Sequence, residues 1–258
     1  MLDRIQHHVE NRDDGRFYVI EGKEYELESV TTNLRVINSP ELNDWRVKHG
    51  RELSNQMRDE GGAIGTMVHD AGLRLFNGEG YGSFEWSLMG FPTPADERVR
   101  TATVGLELLR REKNLSQGDA ELFVWSEKYM IGGTLDKVQI YKQGDGLVAD
   151  ILDWKTSDRI YFKAWLQLAA YATCFTECYG IPVRRIIPVR LERGPRVLPI
   201  VDGKPVRKPR YELGDVITVD GVKVARQYKE GPEITAAFDA FMHALELGRY
   251  IKSEGGRY

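Results

Sequence analysis

Two carboxylates and one amine stand at a spacing that suits phosphodiester hydrolysis. Asp136 ends the run Gly133-Thr134-Leu135-Asp136, Asp153 and Lys155 flank Trp154, and Gln167 and Tyr171 follow. On a strand, residues two apart point to the same face, so Asp153 and Lys155 share one. A hairpin turning at Gly144-Asp145-Gly146 brings Asp136 and Asp153 together. Two facing carboxylates repel, and one must take a proton unless a cation lies between them. Oxygen ligands of this kind suit magnesium or manganese. Either ion would polarise a phosphoryl oxygen and acidify a bound water, leaving Lys155 to orient that water or offset charge on the phosphate. The Trp154 ring alternates to the opposite face, while its backbone carbonyl can still reach a metal.

The elements that must position these groups follow from hydrophobic period and turn chemistry. Apolar alternation predicts strands near Glu121 to Glu127, Met130 to Tyr141, Leu147 to Trp154 and Ile186 to Leu191. Helices are predicted at about Ile64 to Phe76, Pro94 to Lys113, Phe162 to Tyr179 and Ile234 to Tyr250. Another starts at Ser39-Pro40-Glu41, with Ser39 as N-cap and Pro40 in the first turn, and carries Leu42 and Trp45 inward. Phe17 to Ile20 and Glu24 to Leu27 form a small hairpin. Gln167 and Tyr171, four apart, share a helix face. The fold expected is α/β, a mixed central sheet flanked by helices, in one domain over residues 1–258. Its helical N-terminal part spans about 28–115, its catalytic core about 119–192, and its C-terminal hairpin and helix about 193–252.

Taken singly, each motif has a plain structural reading. A D-x-K pair on a strand is commonly a solvated ion pair, a lone histidine is more often a core or surface residue than a ligand, and Gln167 with Tyr171 suits an amphipathic helix. Their consecutive order is harder to obtain by accident. Gly133, Asp136, Asp153, Lys155, Gln167 and Tyr171 resemble the G-x-x-D, D-x-K and Q-x-x-x-Y motifs of the PD-(D/E)XK nuclease superfamily, in its RecB-like exonuclease branch. Gly65-Thr66-Met67-Val68-His69 is similar to that branch's G-x-x-x-H helix, whose histidine ligates metal. Ser29-Val30-Thr31-Thr32 with Trp45 resembles the opening segment of phage and mitochondrial single-chain members, and Glu121 falls where many relatives carry a glutamate.

The resemblance spans about residues 28 to 190 and implies a restriction-endonuclease-like core. It implies His69, Asp136 and Asp153 as ligands of one or two Mg2+ or Mn2+ ions, Lys155 as the group that positions water, and Gln167 and Tyr171 around the phosphate. Glu121 would be an additional acidic contact. Leu135 stands where the superfamily's name implies proline, a proline that the RecB-like branch often lacks. Some relatives hold an iron–sulfur cluster on four cysteines; this chain has only Cys174 and Cys178, so no such cluster is expected. The two cysteines read as small apolar residues one helical turn apart.

Composition bounds the partners. The sequence is 41% hydrophobic and 29% charged with a net charge of −3, which is ordinary for a globular chain and too acidic for a protein that simply coats DNA. Residues 184 to 210 are the exception, with nine basic residues against Glu192 and Asp202, a net of +7. That stretch either follows a phosphate backbone or is a solvated hairpin. No apolar run approaches the roughly 20 residues of a membrane span, and no apolar signal region opens the chain. A cytoplasmic protein is expected, in the host cytoplasm if viral.

The motifs thus lead to a metal-dependent DNA exonuclease, and the resemblance implies a recombination, replication or repair setting, often a viral one such as a phage. Its substrate would be DNA that is single-stranded or has a single-stranded end. No nucleotide-binding loop of the G-x-x-x-x-G-K-[ST] type is present, so strand separation would need a helicase or recombination partner. An endonuclease with the same metal site, an inactive nucleic-acid-binding scaffold, and a metal-stabilised fold without nucleic acid are the alternatives.

Overall fold

The computed structural model describes residues 2–37, 40–79, 93–192, 200–201, 204–205, 211–219 and 222–255. The chain opens on an antiparallel meander of β1 (His7–Arg12), β2 (Gly15–Ile20) and β3 (Glu26–Ser29). A short helix α1 (Val30–Asn33) leads through α2 (Pro40–His49) to α3 (Arg51–Arg74) and α4 (Thr93–Glu112). Next come β4 (Ala120–Ser126), β5 (Ile131–Gln143) and β6 (Gly146–Lys155), then α5 (Phe162–Tyr179) and β7 (Val183–Leu191). The short strands β8 (Ile200–Val201), β9 (Lys204–Pro205), β10 (Tyr211–Leu213), β11 (Asp215–Val219), β12 (Val222–Arg226) and β13 (Lys229–Glu230) precede α6 (Pro232–Ser253).

The main sheet runs β1-β2-β3-β5-β6-β7-β10, with β4 on β5 and β13 on β7. It is mixed, because β3 with β5 and β6 with β7 are parallel while the other pairs are antiparallel. Helices cover both faces, giving the expected α/β class. On one face α5 and α6 bury Trp165, Phe175, Phe241 and Leu245 against Val138 and Ile151. On the other, α3 and α4 bury Ile64, Val68, Leu106 and Leu109 against Leu152, Trp154 and Val189. Trp154 stacks on Phe76 with centroids 5.6 Å apart, so its ring does lie away from Asp153. Helix α5 stops at Gly180, which takes the left-handed φ of 66° and returns its N–H to the Thr176 carbonyl. No described helix is long and apolar enough to cross a membrane.

Several elements depart from the sequence expectation, each for a physical reason. Helix α3 begins at Arg51 rather than near Ile64 and runs through Gly61 and Gly62. Of its first dozen residues only Ser54 is buried, so no apolar stripe marks that half. Strand β1 was not anticipated, since His7-His8-Val9-Glu10-Asn11-Arg12 is polar and lies at the sheet edge. Trp45 is only half-buried, beside the His49 ring. Ser39 and the Leu42 side chain lie outside the described residues. Cys174 is buried as expected, whereas Cys178 does more than pack: its Sγ accepts from the Trp125 N–H and donates to the Trp125 carbonyl along β4.

One buried charge has a measurable consequence. Lys137 is fully buried on β5, where its Nζ donates to the carbonyls of Gly118 (2.8 Å) and Val138 (2.5 Å) and lies over the Phe76 ring. Burial pushes its pKa down to about 8, against the pull of Asp119. Between that value and about 10.5 the unfolded chain keeps the proton that the native chain has released, so stability rises with pH across the window. Urea denaturation at pH 7.5 and 10 is expected to show a gain of about 3 kcal/mol at most that Lys137→Met lacks. Parallel pH profiles for the two proteins would remove Lys137 as the cause.

Candidate active site

Strand β5 is shared unequally along its two edges, and the candidate site sits where the sharing fails. On one edge β4 pairs from Ser126 opposite Ile131 to Ala120 opposite Lys137. On the other edge β3 reaches only Ile131 and Gly132, and β6 pairs only from Lys137 onward. Residues 133–136 therefore face a fork. Within it the side chain of Asp136 replaces a missing ladder partner: its Oδ2 accepts the Trp154 N–H at 2.6 Å. This charge-assisted bond pins a carboxylate that is 3% exposed.

Register then sets a row of acids. Extending the β4–β5 and β5–β6 pairings puts Glu121 and Asp153 opposite Asp136 on either side, so the three carboxylates cross three adjacent strands with Asp136 central. Strands about 4.8 Å apart make the outer two members neighbours of Asp136 rather than of each other. Glu121 sits at φ 47°, in the left-handed region that costs a non-glycine residue on the order of 1 kcal/mol or more. That strained backbone accompanies a side chain aimed at the site.

At the Glu121 end stands His69. Gly72 allows the close approach of α3, because a Cβ there would lie 3.3 Å from Trp154 Nε1 and 3.4 Å from Leu106. His69 Nδ1 consequently lies 3.0 Å from Asp136 Oδ1 and 3.3 Å from Glu121 Oε1. One ligand atom from each of His69, Glu121 and Asp136 falls within 4.8 Å of the others, the spacing of a metal-holding group. Burial disfavours charge on His69, but Asp136 and Glu121 outweigh it and hold its pKa well above the ordinary imidazole value.

At the other end Asp153 is 1% exposed and belongs to a closed polar ring. Its Oδ2 is 2.7 Å from Lys155 Nζ and makes no directed hydrogen bond. Lys155 Nζ donates to Gln167 Oε1 at 3.1 Å, and Gln167 Nε2 donates to Asp153 Oδ1 at 3.2 Å and to the Tyr171 hydroxyl at 3.4 Å. Gln167 therefore orients both the acid and the amine. Burial, reinforced by Asp136, raises Asp153 to about 6 despite Lys155 and His69. Lys155 is raised as well, its burial overcome by Asp153 and Asp136. Burial keeps the Tyr171 hydroxyl protonated far above its usual range.

The structure thus brings together all of His69, Glu121, Asp136, Asp153, Lys155, Gln167 and Tyr171, with the Trp154 backbone at their centre. It divides them differently from the expectation. Glu121, expected as an additional contact, completes the three-residue group with His69, whereas Asp153 faces Lys155 and Gln167. Gly133 also has a role that its motif alone did not explain: a Cβ there would lie 2.5 Å from the Tyr171 ring. The +7 stretch is largely spent or out of view. Arg184, Arg185 and Arg190 pair with Asp150, Glu230 and Glu212, and its other basic side chains lie outside the described residues.

The donor set of carboxylate oxygens with one imidazole, and no thiolate, fits a hard divalent cation. Such a cation would offset the mutual repulsion of the neighbouring carboxylates.

No family model and no curated protein matches this chain. Among solved structures it is similar to the crystal structure of a "Putative exonuclease" from Eubacterium rectale, at 10% sequence identity and a TM-score of 0.49, covering 88% of this chain and 81% of that one.

Two outcomes test that geometry. Gly133→Ala is expected to cost about 1–3 kcal/mol by displacing Tyr171. In a Tyr171→Ala background the same substitution should cost clearly less, and additive losses in denaturant titrations would contradict the contact. A divalent cation should raise the thermal midpoint, by about 2.7 kcal/mol of stability at a hundredfold excess over its Kd, and chelator should reverse it. Asp136→Asn should abolish that response, and an equal cation response in this variant would place the ion elsewhere.

Proposed function

We propose that this protein is a metal-dependent DNA nuclease of the exonuclease type. The observation that carries the reading is the row Glu121, Asp136 and Asp153 across three strands, closed by His69 at one end and by Lys155 at the other. His69, Glu121 and Asp136 would hold one Mg2+ or Mn2+, and Asp136, Asp153 and the Trp154 carbonyl would hold it or a second ion. Such an ion, when bound, polarises a phosphoryl oxygen and acidifies water. The chain's own groups supply the rest. Lys155, fixed by Gln167, holds the attacking water against the phosphorus and offsets charge that grows on the phosphoryl oxygens. Water oxygen bonds to phosphorus as the bridging P–O bond breaks; the attacking water gives up a proton to solvent, and the leaving oxygen takes one from solvent. Tyr171, kept neutral, holds Gln167 without adding charge near the phosphate.

The preference for an end, for DNA with a single-stranded portion and for a recombination, replication or repair setting rests on the resemblance of the motifs. So does a helicase or recombination partner.

The decisive assay offers end-labelled linear DNA, single- and double-stranded, beside a closed circle, with magnesium, manganese or chelator. Metal-dependent loss of linear DNA with the circle spared is expected. Lys155→Ala should slow it by at least about a hundredfold while leaving DNA binding within about twofold. Cutting of the circle would make the enzyme an endonuclease, and binding without cleavage of any substrate would leave a nucleic-acid-binding scaffold.

A further inference from the structure

A polar cleft of about 310 Å³ is lined by Asn11, Arg12, Gly15, Arg16, Thr31, Thr32 and Arg35. Its position follows from topology. β3 runs parallel to β5 and ends at Ser29 opposite Gly132, while β6 runs the other way and ends at Lys155, so both strands stop at the same gap. Helix α1 leaves β3 there and packs on β5 and α5. Thr31, whose hydroxyl lies 2.9 Å from that of Ser29, and Thr32 therefore line the cleft just past the end of β3 that points toward the fork. From Gly132 to Asp136 is four residues along β5, about 13 Å at strand rise.

Part of the charge of this cleft has no carboxylate partner among the described residues. Arg12 is taken by Glu10 and Glu26. Arg16 spends its Nε on Asn11 and its backbone N–H on Thr32 Oγ1, leaving the outer guanidinium nitrogens without a carboxylate among the described residues. Arg35, exposed at the turn after α1, likewise has no carboxylate partner among the described residues. Gly15 keeps the cleft floor thin, since a Cβ there would strike the Thr32 methyl at 2.7 Å. Two uncompensated guanidinium groups beside an amide and a hydroxyl form a donor-rich set, and the planar guanidinium fork matches phosphate oxygens two at a time.

We propose that this cleft is a second phosphate subsite, which grips a phosphate of the nucleic-acid strand whose scissile phosphate lies at Asp136 and Lys155. The proposal rests on the nuclease reading and adds to it what holds the strand. The bound group is either a terminal monophosphate or an internal phosphodiester.

The test measures binding of labelled oligonucleotides, with and without a phosphate at each end, by fluorescence anisotropy in chelator over a range of salt. The parent is compared with Arg35→Ala, with Arg16→Ala combined with Arg35→Ala, and with Arg185→Ala as a charge-matched control remote from the cleft. The double variant is expected to bind about tenfold more weakly, and its slope of log Kd against log salt should be shallower by about one. The control should match the parent. A loss confined to phosphorylated ends identifies the terminal group, and a loss on every oligonucleotide identifies an internal one. Equal affinity and slope for parent and double variant, or a parent that binds no oligonucleotide, would overturn the proposal. Both arginines are exposed, so thermal midpoints should agree. Chelator separates the two readings: arginine-dependent binding without metal-dependent cleavage would refute the nuclease assignment alone, and cleavage with unchanged binding would refute the cleft alone.

Discussion

The bond from the Trp154 N–H to Asp136 Oδ2 is the interaction around which the rest of the site is arranged. A sheet interior leaves few backbone donors unpaired, because each orphan costs about as much as a lost hydrogen bond. Where β6 parts from β5, that cost is met by a carboxylate rather than by a neighbouring strand. The substitution keeps a charged group dry and immobile at the fork. Its second oxygen is left facing His69 at 3.0 Å.

From that anchor the charges extend in both directions, and the two directions differ in character. Toward Glu121 the partners are a strained carboxylate and a half-buried imidazole, a donor set that would suit a cation. Toward Asp153 the partners are an ammonium and an amide in a closed ring that is already satisfied apart from one carboxylate oxygen. Asp136 belongs to both sets. The α3–α4 layer sets the position of His69 through the close approach at Gly72, and α5 sets Gln167 and Tyr171 through the space left at Gly133. Two helices on opposite faces of one sheet thus converge on one edge of β5.

Net charge has little to do with where nucleic acid would bind. The chain is slightly acidic, and the described arginines of its most basic stretch are neutralised one by one by carboxylates on neighbouring strands. Guanidinium groups with no carboxylate partner among the described residues instead appear at Arg16 and Arg35, which are separated in sequence and unremarkable there. Only the meander of β1 to β3 and the exit of α1 bring them to one cleft.

Much of the site was legible from the sequence because its signals are local. Asp153 and Lys155 share a face by strand period, Gln167 and Tyr171 share one by helix period, and Gly144-Asp145-Gly146 set the hairpin register that makes Asp136 and Asp153 neighbours. Helix α5 and the strands around it were equally plain, since each buries a periodic apolar face. The first half of α3 and the whole of β1 were not, because solvent-facing elements need no such period. Nor could the sequence alone decide that Glu121 rather than Asp153 joins His69, that Tyr171 packs on Gly133, or that Arg16 meets Arg35. Those outcomes depend on strand order and on how closely helices approach the sheet. They arise from contacts between distant segments, for which no short-range spacing carries a signal.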